Sequence, residues 1–148
     1  MKAVLQRVKN ANVVVNESII CSISHGFLIL LGIGCGDNDE DIIWLGNKII
    51  NLRVFEDNEG KLNESLLDVK GEVILVSQFT LFADCKKGRR PSFDNAMVPD
   101  KAKDMVDKFF QYLKSQNVRV VQGIFKTHMD ITLTNYGPVT IILDSKNR

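Results

Sequence analysis

Hydrophobic and polar positions along the first third of the chain follow a β pattern that then changes to a helical one. Residues 3–33 contain short runs rich in β-branched residues, separated by Asn, Glu and Gly, which is typical of a β-meander. After them Ile42, Leu45, Ile49 and Leu52 recur at helical spacing, and acidic residues 37–41 suit the start of a helix. The sequence therefore predicts strands followed by an amphipathic helix.

The second half of the chain contains a second helix and further strands. The helix is predicted to begin near Pro99, and its apolar stripe consists of Ala102, Met105, Val106, Phe109, Phe110 and Leu113. The continuous apolar run VILV at 73–76 indicates a strand buried on both faces. DITLTN and PVTIILD read as two closing strands. We expect an α+β fold: antiparallel or mixed barrel-like sheets covered by two helices, in one domain over residues 1–148.

Composition and charge narrow the functional classes. Apolar residues make up 45% of the chain and charged residues 25%, as in an ordinary globular protein. No apolar run approaches the roughly 18 residues of a transmembrane helix, and the first residues lack the apolar core of a signal peptide, so we expect a cytosolic location. The net charge is +1, so any contact with nucleic acid requires a local patch. KKGRRPSF at 86–93 offers four cations, either as a solvated loop or as a phosphate contact.

Polar residues end the buried strand in a way that a purely structural strand does not require. Ser77, Gln78 and Thr80 follow VILV, with Phe79 among them. Continued alternation would place Ser77 and Phe79 on one face and Gln78 and Thr80 on the other. Such groups either open onto a pocket or are satisfied by nearby backbone. The residues alone leave both interpretations open.

Histidines and cysteines provide few candidates for catalysis. His25 and His128 are the only histidines, and the three cysteines form no CxxC pair, so the sequence predicts neither a catalytic metal nor a disulfide framework. His128 is a candidate general base for Ser77 or Thr80. This protein-only esterase is one alternative, and its test is the replacement of His128.

Two short motifs together resemble one family. A Gly-Pro step, Gly137 and Pro138, lies between the two closing runs, although Pro normally occupies a strand start, an edge or a bulge. SQFTL at 77–81 and GPVT at 137–140 are similar to the motifs of the D-aminoacyl-tRNA deacylases, also called D-tyrosyl-tRNA deacylases. LQRV at 5–8, RVFEDNEGKLN at 53–63 and RRPSF at 89–93 extend the resemblance over nearly the whole chain.

The resemblance implies a homodimeric esterase without a cofactor that hydrolyses D-aminoacyl-tRNA, with glycyl-tRNA as a further substrate. Gly137 and Pro138 would form a cis peptide that enters the active site of the partner subunit and rejects L-amino acids by steric clash. The catalytic segment would consist of Ser77, Gln78, Phe79 and Thr80. Phe125 and Met129 would line an adenosine pocket, while Gln6 and Arg7 would support the active site or brace the Gly-Pro step.

Two mechanisms and one non-catalytic alternative remain at this stage. Either the Thr80 hydroxyl attacks or positions water, or the ribose 2′-hydroxyl of the tRNA assists while backbone N–H groups around 77–80 stabilise the oxyanion. The second is favoured because no histidine or lysine adjoins the motif. The non-catalytic alternative is a small module that binds tRNA through residues 86–90.

Overall fold

One mixed sheet and two helices make up most of the structure, a computed structural model that describes residues 1–148. The strands are β1 (Lys2–Val15), β2 (Ser18–Ile23), β3 (Gly26–Gly32), β4 (Phe55–Glu56), β5 (Leu62–Glu64), β6 (Glu72–Ser77), β7 (Arg119–Gln122) and β8 (Asp130–Asp144). The helices are α1 (Asp39–Asn51) and α2 (Pro99–Ser115), and a short 3₁₀ helix covers Phe79–Phe82.

Strand β1 is the centre of the sheet. It pairs antiparallel with β2, β3 and β8, while β6 runs parallel to both β3 and β7. The strands form a nearly closed barrel, and the small β4–β5 pair stands apart from it. The predicted α+β class, with a mixed barrel-like sheet and two covering helices, is confirmed.

Two hydrophobic clusters occupy the two faces of the sheet. The larger cluster joins α1 and α2 to residues such as Leu5, Ile29 and Leu75. The smaller one is built from strand residues alone, including Val13, Leu28 and Val76, and fills the barrel interior. Because β6 lies between the two clusters, all of residues 73–76 are buried, as predicted. Neither helix is long and apolar enough to cross a membrane.

The closing segment differs from the sequence prediction, because β8 is one strand that runs through Gly137 and Pro138 rather than two strands. Its pairing with β1 continues on both sides of the step, with Val8 opposite Asn135 and Gln6 opposite Thr140. Between these two pairs β1 contributes only Arg7, whereas β8 contributes the four residues 136–139. The surplus forms a bulge, a place in a sheet where a residue without an N–H is tolerated.

A buried carboxylate connects the start of α1 to the end of the chain. Asp41 is fully buried, and its oxygens accept hydrogen bonds from Lys146 Nζ at 2.7 Å and from the Asn38 backbone N–H at 2.9 Å. Burial by itself would raise the pKa of Asp41, but hydrogen bonds from Lys146, Ser145 and Asn38 outweigh burial and hold the pKa well below its usual range. The ionised form of this carboxylate therefore stabilises the folded chain.

We predict that Asp41→Asn lowers the free energy of unfolding at pH 7 by about 2 kcal/mol, since hydrogen bonds to a charged group are worth about 1.5–3 kcal/mol. The folded pKa is depressed, so the stabilisation is complete above the unfolded pKa of about 3.9 and declines as the pH falls below it. Urea denaturation at pH 7 and pH 3 measures both effects. Glu40→Gln changes an exposed carboxylate of the same turn and is the control. An equal difference between wild type and Asp41→Asn at both pH values would contradict the assignment.

Candidate active site at the end of strand β6

The predicted catalytic segment lies where β6 stops. Ser77 is the last residue of the strand, and the Gln78 N–H donates to the Leu31 carbonyl at 2.8 Å before the chain turns into the 3₁₀ helix. Because the strand ends there, alternation does not continue, and Ser77, Gln78 and Phe79 all line one cavity. The expected division of Ser77 and Gln78 between opposite faces was therefore wrong.

The cavity has a volume of about 430 Å³ and a mainly apolar wall. Phe125 contributes to this wall, as does Phe93, whose ring meets that of Phe79 edge-on at 5.0 Å between centroids. The other lining residues are Leu31, Ile33, Ala96, Met97, Val98, Pro99, Ala102, Val106 and Lys126. Four of the predicted site residues thus share one concave surface.

Polar groups beside the cavity are donors rather than bases. The Gln78 side-chain amide is hydrogen-bonded to the Thr80 hydroxyl, and an amide does not accept a proton at neutral pH. The backbone N–H groups of Phe79 and Thr80 have no acceptor within the chain, as expected at the start of a short helix. Lys126 is the only ionisable residue in the cavity wall, and the exposed His128 does not line it.

Sequence reasoning missed Gln122 at the end of β7. A smaller lobe of about 230 Å³ shares Ser77, Val106 and Phe125 with the main cavity, and Gln122 lines it. Its Oε1 is the one buried side-chain polar atom without a hydrogen-bond partner. Ser77 was identified because it is a polar residue at the end of an apolar strand. Gln122 has the same position at the end of RVVQ, so the sequence contained the signal for it as well.

The structure does not bring Met129 into the cavity wall. Phe125 packs against the cluster below the helices, whereas Met129 packs against the barrel interior. A Cβ added to Gly123 would lie 2.6 Å from the Met129 sulfur, so these residues are in close contact. The adenosine-pocket assignment of Met129 therefore stays a prediction.

The buried side chain of Arg7 holds the residue that precedes the Gly-Pro step. This side chain is 1% exposed, in contrast to a solvent-facing strand cation. Its guanidinium donates to the carbonyls of Tyr136 at 2.9 Å and Val54 at 2.7 Å, and to Glu56 at 3.1 Å. It also lies 4.4 Å from the centroid of the Tyr136 ring. The residue before the Gly-Pro step is thus held at both its carbonyl and its side chain.

Gly137 and Pro138 do not line the chain's own cavity. Both residues are exposed, and the peptide bond between them is cis. Strand pairing places Ser77 in line with Leu31, Ala3 and Leu143 across the sheet. Pro138 precedes Leu143 on β8, and strand spacings put it roughly 20 Å from Ser77. One copy of the chain therefore does not unite the two motifs in a single site.

Comparison with known proteins agrees with this combination of motifs. Residues 4–144 match the family model described as D-Tyr-tRNA(Tyr) deacylase. The chain belongs to the D-aminoacyl-tRNA deacylase family. It is accordingly a hydrolase of the carboxylic ester bond in aminoacyl-tRNA.

Individual relatives cover nearly the whole chain. The D-aminoacyl-tRNA deacylase of Thermosipho africanus is 53% identical over 146 residues, which are 99% of this chain and 98% of the relative. That of Aquifex aeolicus is 51% identical and covers 99% of both chains. A solved structure named c-Myc DNA Unwinding Element Binding Protein superposes with a TM-score of 0.91 at 39% identity, covering 97% of this chain and 98% of its own. A second, described as a probable eukaryotic D-amino acid tRNA deacylase, has a TM-score of 0.84 at 16% identity, covers 96% and 97% of the two chains and supports the fold alone.

We predict that Arg7→Lys destabilises this deacylase by about 2 kcal/mol or more, because a single ammonium cannot reach both carbonyls and an unsatisfied buried group costs about 1–3 kcal/mol. Denaturant unfolding measures the loss. Lys101→Gln removes an exposed cation of α2 that does not contact the bulge, and it is the control. If Arg7→Lys unfolds at the denaturant concentration of the wild type, the bonds to Tyr136 and Val54 contribute nothing to the fold.

Proposed function

We propose that this chain proofreads charged tRNA in the cytoplasm by releasing D-amino acids from it. Water attacks the carbonyl carbon of the ester that joins the amino acid to the terminal adenosine. The bond to the ribose oxygen breaks, that oxygen takes up a proton, and free tRNA and a D-amino acid result. The observation that carries the proposal is the cavity at the end of β6, in a chain that belongs to the deacylase family.

Backbone donors are the proposed source of catalysis. The free N–H groups of Phe79 and Thr80 start the 3₁₀ helix next to Ser77, where they would stabilise the oxyanion that forms as water adds to the ester. Removal of one such donor in other hydrolases costs about 10²–10³ in rate. The adenosine would lie against Phe125 and Met129, as the family resemblance implies.

The ribose 2′-hydroxyl of the substrate is the proposed assisting group. A threonine nucleophile needs a neighbouring base, and Thr80 instead contacts the amide of Gln78. Lys126 is a cation in the cavity wall, and His128 is outside that wall. The ribose 2′-hydroxyl of the substrate therefore assists the reaction in place of a protein side chain, and the protein positions the ester.

We expect wild type and Thr80→Ala to release tRNA from D-tyrosyl-tRNA with rate constants within tenfold of each other. L-tyrosyl-tRNA should react at least about 100-fold more slowly, a difference of about 2.7 kcal/mol in activation free energy. Loss of the labelled amino acid from each ester, followed side by side, measures both ratios.

A tRNA ending in 2′-deoxyadenosine separates the two mechanisms. Its D-tyrosyl ester should react about 100-fold more slowly than the ribose ester with either protein, because the assisting hydroxyl is absent. Abolished activity in a folded Thr80→Ala, together with normal turnover of the deoxy ester, would assign catalysis to the side chain. Equal stability of the D- and L-esters would refute the deacylase proposal and favour a tRNA-binding module.

The Gly-Pro bulge is the proposed element of chiral selection. Gly137 and Pro138 of one subunit would enter the cavity of the partner in a homodimer and hold the substrate ammonium by their carbonyls. The side chain of an L-amino acid would collide with the proline, while a D-amino acid and glycine would not, so glycyl-tRNA is also a substrate. Selection by collision requires a fixed bulge, which the hydrogen bonds of Arg7 support.

Two exposed features of β8 support a second copy. The bulge is exposed and lies roughly 20 Å from the cavity of its own chain, a distance that follows from strand spacing. On the same strand Ile142 is 74% exposed, and it pairs with the half-buried Val4 of β1. Burying these apolar side chains against a partner would stabilise the dimer.

A mixed-dimer experiment tests the exchange of bulges between subunits. Ala96→Trp fills the cavity and should inactivate its own subunit, while Pro138→Gly removes the colliding ring and should permit hydrolysis of L-tyrosyl-tRNA. We expect heterodimers of the two variants, purified by two affinity tags, to hydrolyse the D-ester and reject the L-ester. The one working cavity then receives an intact bulge from the Ala96→Trp subunit.

The homodimers of each variant are the controls for this experiment. Pro138→Gly homodimers should hydrolyse both esters, and Ala96→Trp homodimers neither. Heterodimers that hydrolyse the L-ester as fast, per working cavity, as the Pro138→Gly homodimer would show that each subunit uses its own bulge. A monomeric wild type in sedimentation experiments would also contradict the proposal.

A further inference from the structure

Four cations stand on one exposed loop between the 3₁₀ helix and α2. They are Lys86, Lys87, Arg89 and Arg90, and Gly88 between them adopts a positive φ of 69° at the tip of the loop. All four residues are exposed. None of them forms an ion pair or donates a side-chain hydrogen bond within the chain, in contrast to Lys61, Lys108 and Arg119.

The loop is fixed at its base rather than loosely attached. The backbone N–H groups of Asp84 and Ser92 donate to each other's carbonyls at 2.8 and 3.0 Å, which closes the loop like a short hairpin. Asp84 also accepts from the Lys86 backbone N–H at 2.9 Å, and Asp94 accepts from the Ser92 hydroxyl at 2.6 Å. The two acids nearest to the cations are therefore occupied in holding the loop.

This base leads directly into the wall of the cavity. Phe93, which follows Ser92, lines the cavity and contacts Phe79. Lys126 adds a fifth cation from the segment between β7 and β8. The chain as a whole has a net charge of only +1, so this local excess of positive charge marks one edge of one cavity rather than a general surface property.

We infer that the loop 86–90 binds the phosphates of the tRNA acceptor end whose terminal ester occupies the cavity. This inference rests on the proposed function and specifies the surface that recognises the RNA. Unpaired Lys and Arg side chains release counterions from a nucleic-acid backbone and bind it without reading its sequence. Such a contact would distinguish tRNA from small aminoacyl esters, which have no nucleic-acid backbone.

The test removes the four charges and keeps the loop length. Lys86→Gln, Lys87→Gln, Arg89→Gln and Arg90→Gln are combined in one full-length loop variant. A control variant combines Lys48→Gln, Lys61→Gln, Lys70→Gln and Lys114→Gln, four exposed cations outside the cavity wall, and therefore has the same net charge. Each protein is assayed with D-tyrosyl-tRNA at several salt concentrations and with 3′-O-D-tyrosyl-adenosine, which has no phosphate.

We expect the loop variant to raise KM for D-tyrosyl-tRNA at least tenfold with kcat unchanged. The slope of log kcat/KM against log salt concentration should become less negative by about 3, at about 0.7–0.9 for each lost phosphate contact. Turnover of the adenosine ester should equal that of wild type, and the control variant should resemble wild type with both substrates.

Three results would overturn the inference. The first is an unchanged KM and salt slope in the loop variant. The second is an equal rise of KM for D-tyrosyl-tRNA in the control variant. The third is an equal loss of activity of the loop variant on the adenosine ester, which would mean that the loop shapes the cavity. Inactivity of wild type on both D-esters would instead refute the proposed function. The two failures are therefore distinguishable in the same set of assays.

Discussion

Pairing of β1 with β8 along nearly their whole lengths is the constraint on which the rest of the structure depends. It fixes the register of the last strand against the first, and it leaves four residues of β8 opposite Arg7, next to a smaller irregularity at Lys9. A sheet accommodates such a surplus as a bulge that projects from its surface. The position of Gly137 and Pro138 thus follows from long-range pairing. The buried guanidinium of Arg7 holds the start of the bulge by its hydrogen bond to the Tyr136 carbonyl.

The same sheet accounts for the location of the cavity. Parallel pairing of β6 with β3 carries the chain outward until Ser77, where no further strand residue has a partner. The 3₁₀ helix that follows turns two backbone N–H groups out of the ladder and next to an apolar hollow. Because the bulge lies near the other end of these strands, the proposed elements of chiral selection and of ester hydrolysis lie in separate parts of one chain, which is the physical reason to propose a second copy.

Local patterns predicted much of this fold, and long-range contacts account for what they missed. The apolar stripe of α2 and the buried run of β6 depend on neighbouring residues alone, so their periodicity is visible in the sequence. The continuity of β8 depends on β1, more than a hundred residues away, and a Gly-Pro step is ordinarily a break. The burial of Arg7 depends on Val54 and Tyr136, and strand position alone favours a solvent-facing cation. The face of Gln78 was mispredicted because alternation holds only while the strand continues.

The wall of the cavity at the end of β6 contains no side chain suited to act as a general base, which limits the kinds of catalysis open to this site. The cavity wall contains no histidine or carboxylate, and the hydroxyl of Thr80 is hydrogen-bonded only to an amide. Backbone donors, by contrast, are fixed by the fold and lose nothing when a side chain is replaced. Such a site suits the proposed mechanism, in which the ester is labile and the assisting hydroxyl group belongs to the substrate. Under the proposed mechanism, selectivity would depend on what the cavity admits. The shape of the bulge would then reject L-aminoacyl-tRNA, and the charge of the loop would separate tRNA from small esters.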